Sequence, residues 1–146
     1  MDSRGCSRLR PATPTPITSN VDNPSPANPY DTWGTAANTI QEAVDAATGG
    51  DTVLVADGVD TNGGAARPGF GLTNRVLIAT NITVKSVHGA ASTLIVGAET
   101  PGGGNGDGAV RGVLMLHREA EVCGFTITNG HARTSGGPSD TSGAGV

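Results

Sequence analysis

Aromatic residues are nearly missing from this chain: 3% of 146 positions, as two Phe, one Tyr and one Trp. An antiparallel sandwich has few large anchors to build on with so little ring surface. Charge is scarce too, at 15% Asp, Glu, Lys and Arg, with a net charge of −4 and a pI near 5.1. That leaves no electrostatic footprint for nucleic acid or for an anionic membrane, and no nucleic-acid partner is expected. No apolar run approaches the roughly 18 residues that a membrane span needs. The N-terminal MDSRGCSRLRPATPTP has charges but no apolar core of a secretory signal. Cysteine is limited to Cys6 and Cys123, far apart and without metal-ligand spacing. Two unpaired thiols are expected, with Cys123 buried as a small hydrophobe; a disulfide requires the tail to fold back onto the last strands.

What the chain does have is glycine (23) and proline (9), with aliphatic strands between them. Its surface must therefore be largely Thr, Ser, Asn and Gly, and one domain is expected at this length. Residues 1–30 carry Pro11, Pro14, Pro16, Pro24, Pro26 and Pro29 and read as a disordered, polyproline-like tail. Tyr30 and Trp33 then mark the first packed turn of a unit covering residues 31–146.

One segment reads as a helix. From Asn38 to Ala47, the apolar residues Ile40, Ala43, Val44 and Ala47 recur at i, i+3, i+4 and i+7. Asn38 with Gln41 three residues later resembles a capping box, and Gly49-Gly50 ends the pattern. A single apolar stripe built around Ile40 and Val44 suits a lid over the open end of a sheet stack.

Short strands follow at 52–56, 75–79, 81–86, 92–96, 112–116 and, as a bent pair, 121–128. The long glycine-rich connections 57–74 and 97–111 read as outward loops, and no gap after Gly50 has a helical pattern. The last pair, EVCGFTITNG, is the most telling: Phe125 and Ile127 follow a glycine bend, and Asn129-Gly130 closes a tight corner. Asn129 is a candidate corner residue that bonds to a neighbouring coil. Few aromatics, weak hairpin signals and no intervening helices favour a β-solenoid, in which like aliphatics stack on one another. The abrupt end at Thr141-Ser142-Gly143-Ala144-Gly145-Val146 leads to the expectation of an N-terminal cap and first coils of a longer protein.

NTIQEAVDAATGGDTVLVADGV resembles the opening of secreted right-handed β-helix proteins of the pectate-lyase-like superfamily. TNRVLIATNITVKSVHGAASTLIVG, GDGAVRGVLML, VCGFTITNG and SGAGV are similar to the later coils of the same class, in particular to large bacterial surface proteins. The resemblance covers residues 30–146 and implies an all-β, right-handed parallel β-helix with an N-terminal amphipathic capping helix. It also implies a secreted or cell-surface location, although the chain carries no signal peptide.

Candidate chemistry is sparse. Asp57, Asp60 and Asn62 are oxygen donors in a glycine-rich loop, as calcium requires, but their spacing is not an EF-hand's and Asx-turns account for them. Asn105 and Asp107 in GGGNGDG are read the same way, so no cofactor is expected and calcium is the alternative. Polysaccharide lyases of the resembled class pair an Arg or Lys base with acidic calcium ligands. Lys85, Arg111 and Arg118 lack such a cluster, with only Glu119 and Glu121 beside Arg118. His88, His117 and His131 lie at strand ends, as solvated turn residues. No phosphate loop, nucleophile elbow or catalytic triad is present.

The expected function is a non-catalytic extracellular or cell-surface scaffold for adhesion or glycan contact. A polysaccharide lyase or glycoside hydrolase fragment of the same superfamily is the alternative.

Overall fold

A computed structural model of the chain describes residues 15–136. The strands are β1 (Ile17–Ser19), β2 (Thr52–Val55), β3 (Gly58–Asp60), β4 (Ala65–Ala66), β5 (Thr73–Ile78), β6 (Thr83–Ser86), β7 (Thr93–Val96), β8 (Val110–Met115), β9 (Glu121–Cys123) and β10 (Thr126–Thr128), with one helix, α1 (Ile40–Ala46), between β1 and β2. They form three sheets, in the orders β1-β2-β6-β9, β3-β7-β10 and β4-β5-β8. Successive strands visit the first, second and third sheet in turn, and each pairs in parallel with its counterpart one coil away. The result is a parallel β-solenoid of about three turns. Only the short β4 runs antiparallel, against β5.

Register explains why aliphatic residues alone suffice. Ile17, Val53, Val84 and Val122 are stacked partners across the first sheet. Ile95 stacks on Ile127 in the second sheet, and Val76 on Val113 in the third. Every second residue of a strand faces the interior, so a coil adds one or two such side chains per sheet, as Val53 and Val55 do in β2 and Val76 and Ile78 in β5. Ile40, Val53, Val76, Ile78, Ile82, Val84, Ile95 and Val113 are fully buried, each stabilising by roughly 1.5–3 kcal/mol.

The N-terminal end of the stack is closed. Residues 30–37 cover the free edge of β1, with Thr18 N–H bonded to Tyr30 O at 2.7 Å and Ala37 N–H to Thr18 O at 3.0 Å. α1 lies over the third sheet, where the Gln41 side chain accepts from Leu77 N–H at 2.7 Å and donates to Leu77 O at 3.2 Å. That amide replaces the missing strand, while Ile40 and Val44 point into the core. The opposite end is less covered: Met115, stacked on Ile78, is 41% exposed.

Several expectations are corrected. Ile17–Ser19, placed above in the tail, form a buried strand, because pairing with β2 satisfies their backbone and hides Ile17. Trp33 is 44% exposed, whereas Tyr30 packs against the core. The helix N-cap is Thr39 rather than Asn38, with Glu42 completing the capping box; Asn38 instead donates to Asn23 O at 2.6 Å. α1 ends at Ala46, before the two glycines. β3 and β4 lie inside the connection read as an outward loop. Cys123 is disulfide-bonded, not a free thiol. Residues 1–14, with Cys6, and the final SGAGV fall outside the described residues.

Within EVCGFTITNG the bend comes from Gly124, at φ +79°, where a side chain would strike the Ser86 hydroxyl of the coil before. Gly97 is constrained by contact: a Cβ there would sit 2.6 Å from Asn129 O and 2.7 Å from the Gly130 Cα. Gly97→Val is therefore expected to cost roughly 2–4 kcal/mol, read as a lower urea midpoint. A midpoint equal to wild type would mean that the two corners separate freely.

Candidate functional site

Three groups of polar side chains stand out, two at surface corners between sheets and one in the interior. The first joins the first and second sheets. Asp57, just before β3, meets His88 of the next coil, with Oδ1 2.8 Å from Nδ1 and both side chains at least half exposed. Asn62 is exposed nearby in sequence.

The second group is inside. Asp60 ends β3 and is 2% exposed, at the inward position whose ladder partner is Ile95. Its carboxylate accepts from the backbone N–H of Ile40 and of Asn62, while Oδ2 has no hydrogen-bond partner. Arg75 of β5, 6% exposed, donates to Val96 O at 2.7 Å and Gly63 O at 2.6 Å. Burial pushes the Asp60 carboxyl up from 3.8 to about 6, against the opposing pull of the Arg75 charge and the two N–H bonds. Burial likewise lowers Arg75, and the Asp60 charge opposes that. Arg111 is a second interior cation, bonded to Asn74 Oδ1 at 3.2 Å.

The third group lies on the surface where the second sheet turns into the third. The connection after β7 and the segment after β10 interlock there. Asn105 Oδ1 accepts from Ala132 N–H at 3.2 Å and lies 3.1 Å from His131 Nδ1. His131 Nε2 is 3.1 Å from Asn129 Oδ1 and 3.8 Å from Glu99 Oε1. Arg133 and Asp107 form an ion pair at 2.8 Å. Asn129, at φ +52°, donates from Nδ2 to Gly97 O at 3.4 Å. Beneath these groups Leu72, Ala109 and Ala132 make a small apolar stack through successive coils. Five of these side chains are thus held by bonds between coils, and Glu99 lies beside them. Chemically the corner offers amide, carboxylate, imidazole and guanidinium groups to a polar ligand.

The structure does not bring Asp57, Asp60 and Asn62 together: one meets His88, one is buried under Ile95, one is in solvent. Asn105 and Asp107 do share a corner, each engaged with the 131–133 segment. Among the described residues, no group of three or more His, Cys, Asp and Glu side chains is placed to hold a metal ion. Lys85, Arg111 and Arg118 do not converge. Lys85 lies beside Leu54 and Cys123 in the first sheet, Arg111 is buried, and Arg118 is in an exposed turn. His117 accepts from Glu119 N–H at 3.2 Å. Phe125 and Ile127 are partly buried against the core. Reading the sequence missed Arg75 and Arg133 as contact makers and took Gln41 for a capping residue; two of the three Asn-Gly pairs, at 105–106 and 129–130, were the signal pointing to paired corners. No helix among the described residues is long and apolar enough to cross a membrane. No family model, curated protein or solved structure matches the chain.

Proposed function

We propose that this chain is a non-catalytic, extracellular or cell-surface scaffold whose corner between the second and third sheets contacts glycans. The observation that carries the reading is the interlocked set Asn105, Asp107, Asn129, His131 and Arg133, joined by hydrogen bonds between coils, with Glu99 beside it. Prearranged polar groups bind a hydroxyl-rich ligand without the further cost of ordering side chains. The neighbouring outer face of the second sheet presents Val59, Leu94 and Thr126 in register, with Val96 beside Thr128, an uncharged surface suited to a neutral sugar face. A disulfide at Cys123 fits an oxidising compartment, and the solenoid is consistent with the resemblance to pectate-lyase-like surface proteins.

Glycan arrays and titration calorimetry test the reading. Asn105→Ala combined with His131→Ala should weaken binding by about tenfold, or about 1.4 kcal/mol. Unchanged affinity, or no glycan bound by the wild type, would remove the corner from consideration. The same preparations should give no rise in unsaturated-product absorbance on acidic polysaccharides with calcium. Clear turnover would replace the scaffold by the polysaccharide lyase alternative.

A further inference from the structure

We propose that Asp60 is a proton-operated latch on the N-terminal cap: protonated, it keeps α1 and the 61–64 loop closed on the first full coil, and ionised it loosens them. The geometry is that of a fastener. The side chain occupies an inward ladder position under Ile95, yet its carboxyl is bonded to the first residue of α1 through Ile40 N–H and to the loop through Asn62 N–H. The loop in turn presses on the helix start, since a Cβ on Gly63 would lie 2.9 Å from the Thr39 side chain.

Charges reach Asp60 from two packed elements, Arg75 on β5 and Glu42 on α1; β7 offers only the uncharged Ile95. Arg75 is tied to two carbonyls, Val96 O and Gly63 O, and Oδ2 is left buried without a partner. An ionised carboxyl here loses more hydration than its bonds and Arg75 return, so burial dominates and the group holds its proton up to about pH 6. Two coverings exclude water from it, the stacked strands and the cap. The cap is the one that can lift without breaking strand-to-strand hydrogen bonds, giving up only side-chain contacts such as the two from Gln41 to Leu77, so rehydration of the ionised group proceeds by local opening there.

Proton linkage sets the size of the effect. Opening favours the ionised form, so the open fraction of the cap rises with pH, roughly 20-fold between about pH 4.5 and about pH 7.5. Amide hydrogen exchange on the full chain, corrected for intrinsic rates, reads this directly. Protection at Ala43 and Val44 in α1 should fall by that factor as pH rises, while Val84 and Ile95 in the stack change less. Asp60→Asn should flatten the α1 profile. Equal changes in α1 and the stack, or no change in α1, would overturn the latch. That comparison within the wild type stands even if Asp60→Asn folds poorly.

Discussion

Replacing Ile40 and Val44 together by Asp is expected to abolish cooperative unfolding. Ile40 is 0% exposed and Val44 8%, and both belong to the same core as Val53, Val76 and Val84. Each change forfeits roughly 1.5–3 kcal/mol of burial and adds an unpaired buried carboxylate costing several kcal/mol more. The sum reaches the roughly 5–15 kcal/mol that a whole domain commands. Loss of the helix also uncovers Leu77 N–H and O, which Gln41 now satisfies. The measurement is thermal or urea unfolding followed by circular dichroism. A sharp transition at the wild-type midpoint would show that α1 is not a lid. Glu42→Ala, which removes the capping-box contact to Thr39 and one minor charge near Asp60, should cost no more than about 1 kcal/mol and leave the transition sharp.

How much of this was legible depends on where hydropathy and geometry agree. β2, β5, β6, β7 and β8 were readable because their β-branched residues sit in the ladders that need them. β3 was not, because its polarity is inverted: Val59 is 48% exposed while Asp60 is buried. An alternation rule puts the valine inside and the acid in a turn. β1 was hidden by its prolines, since nothing within Pro16-Ile17-Thr18-Ser19 shows that β2 will pair with it. The helix start slipped by one residue because Asn38–Gln41 and Thr39–Glu42 are equally good local patterns. What decides between them is distant, as Gln41 is occupied by Leu77 and Asn38 by Asn23. The surface corner has the same character. Asn105 and Ala132, or Asp107 and Arg133, meet only because one coil lies on the next, and no sequence window contains both partners. The apolar ladder was therefore open to reading, and the polar groups that punctuate it were not.

Asp60 and Arg75 give the second large expected effect. Arg75→Met should destabilise the fold by roughly 3–5 kcal/mol near neutral pH, because buried Asp60 must then either keep its proton far above its unfolded value or ionise without a counter-charge. The penalty should depend on pH with a definite sign. In the wild type the Asp60 carboxyl is already raised, from 3.8 to about 6, a difference corresponding to roughly 3 kcal/mol. A group raised in the folded state contributes its full stability below the unfolded value and loses it as pH rises through the folded one. Removing Arg75 takes away a charge that lowers the Asp60 value, so the variant must hold its proton to still higher pH. Below about pH 4 both proteins carry a neutral Asp60. The gap should then shrink to roughly 1–2 kcal/mol, the share of the lost bonds to Val96 O and Gly63 O. Combining Asp60→Asn with Arg75→Met should recover most of the neutral-pH loss, since no buried charge remains. Urea unfolding of the wild type, the two single variants and the double variant, at acid and at neutral pH, separates these contributions. A penalty constant in pH would mean that Arg75 acts through its carbonyl bonds alone, leaving Asp60 neutral throughout.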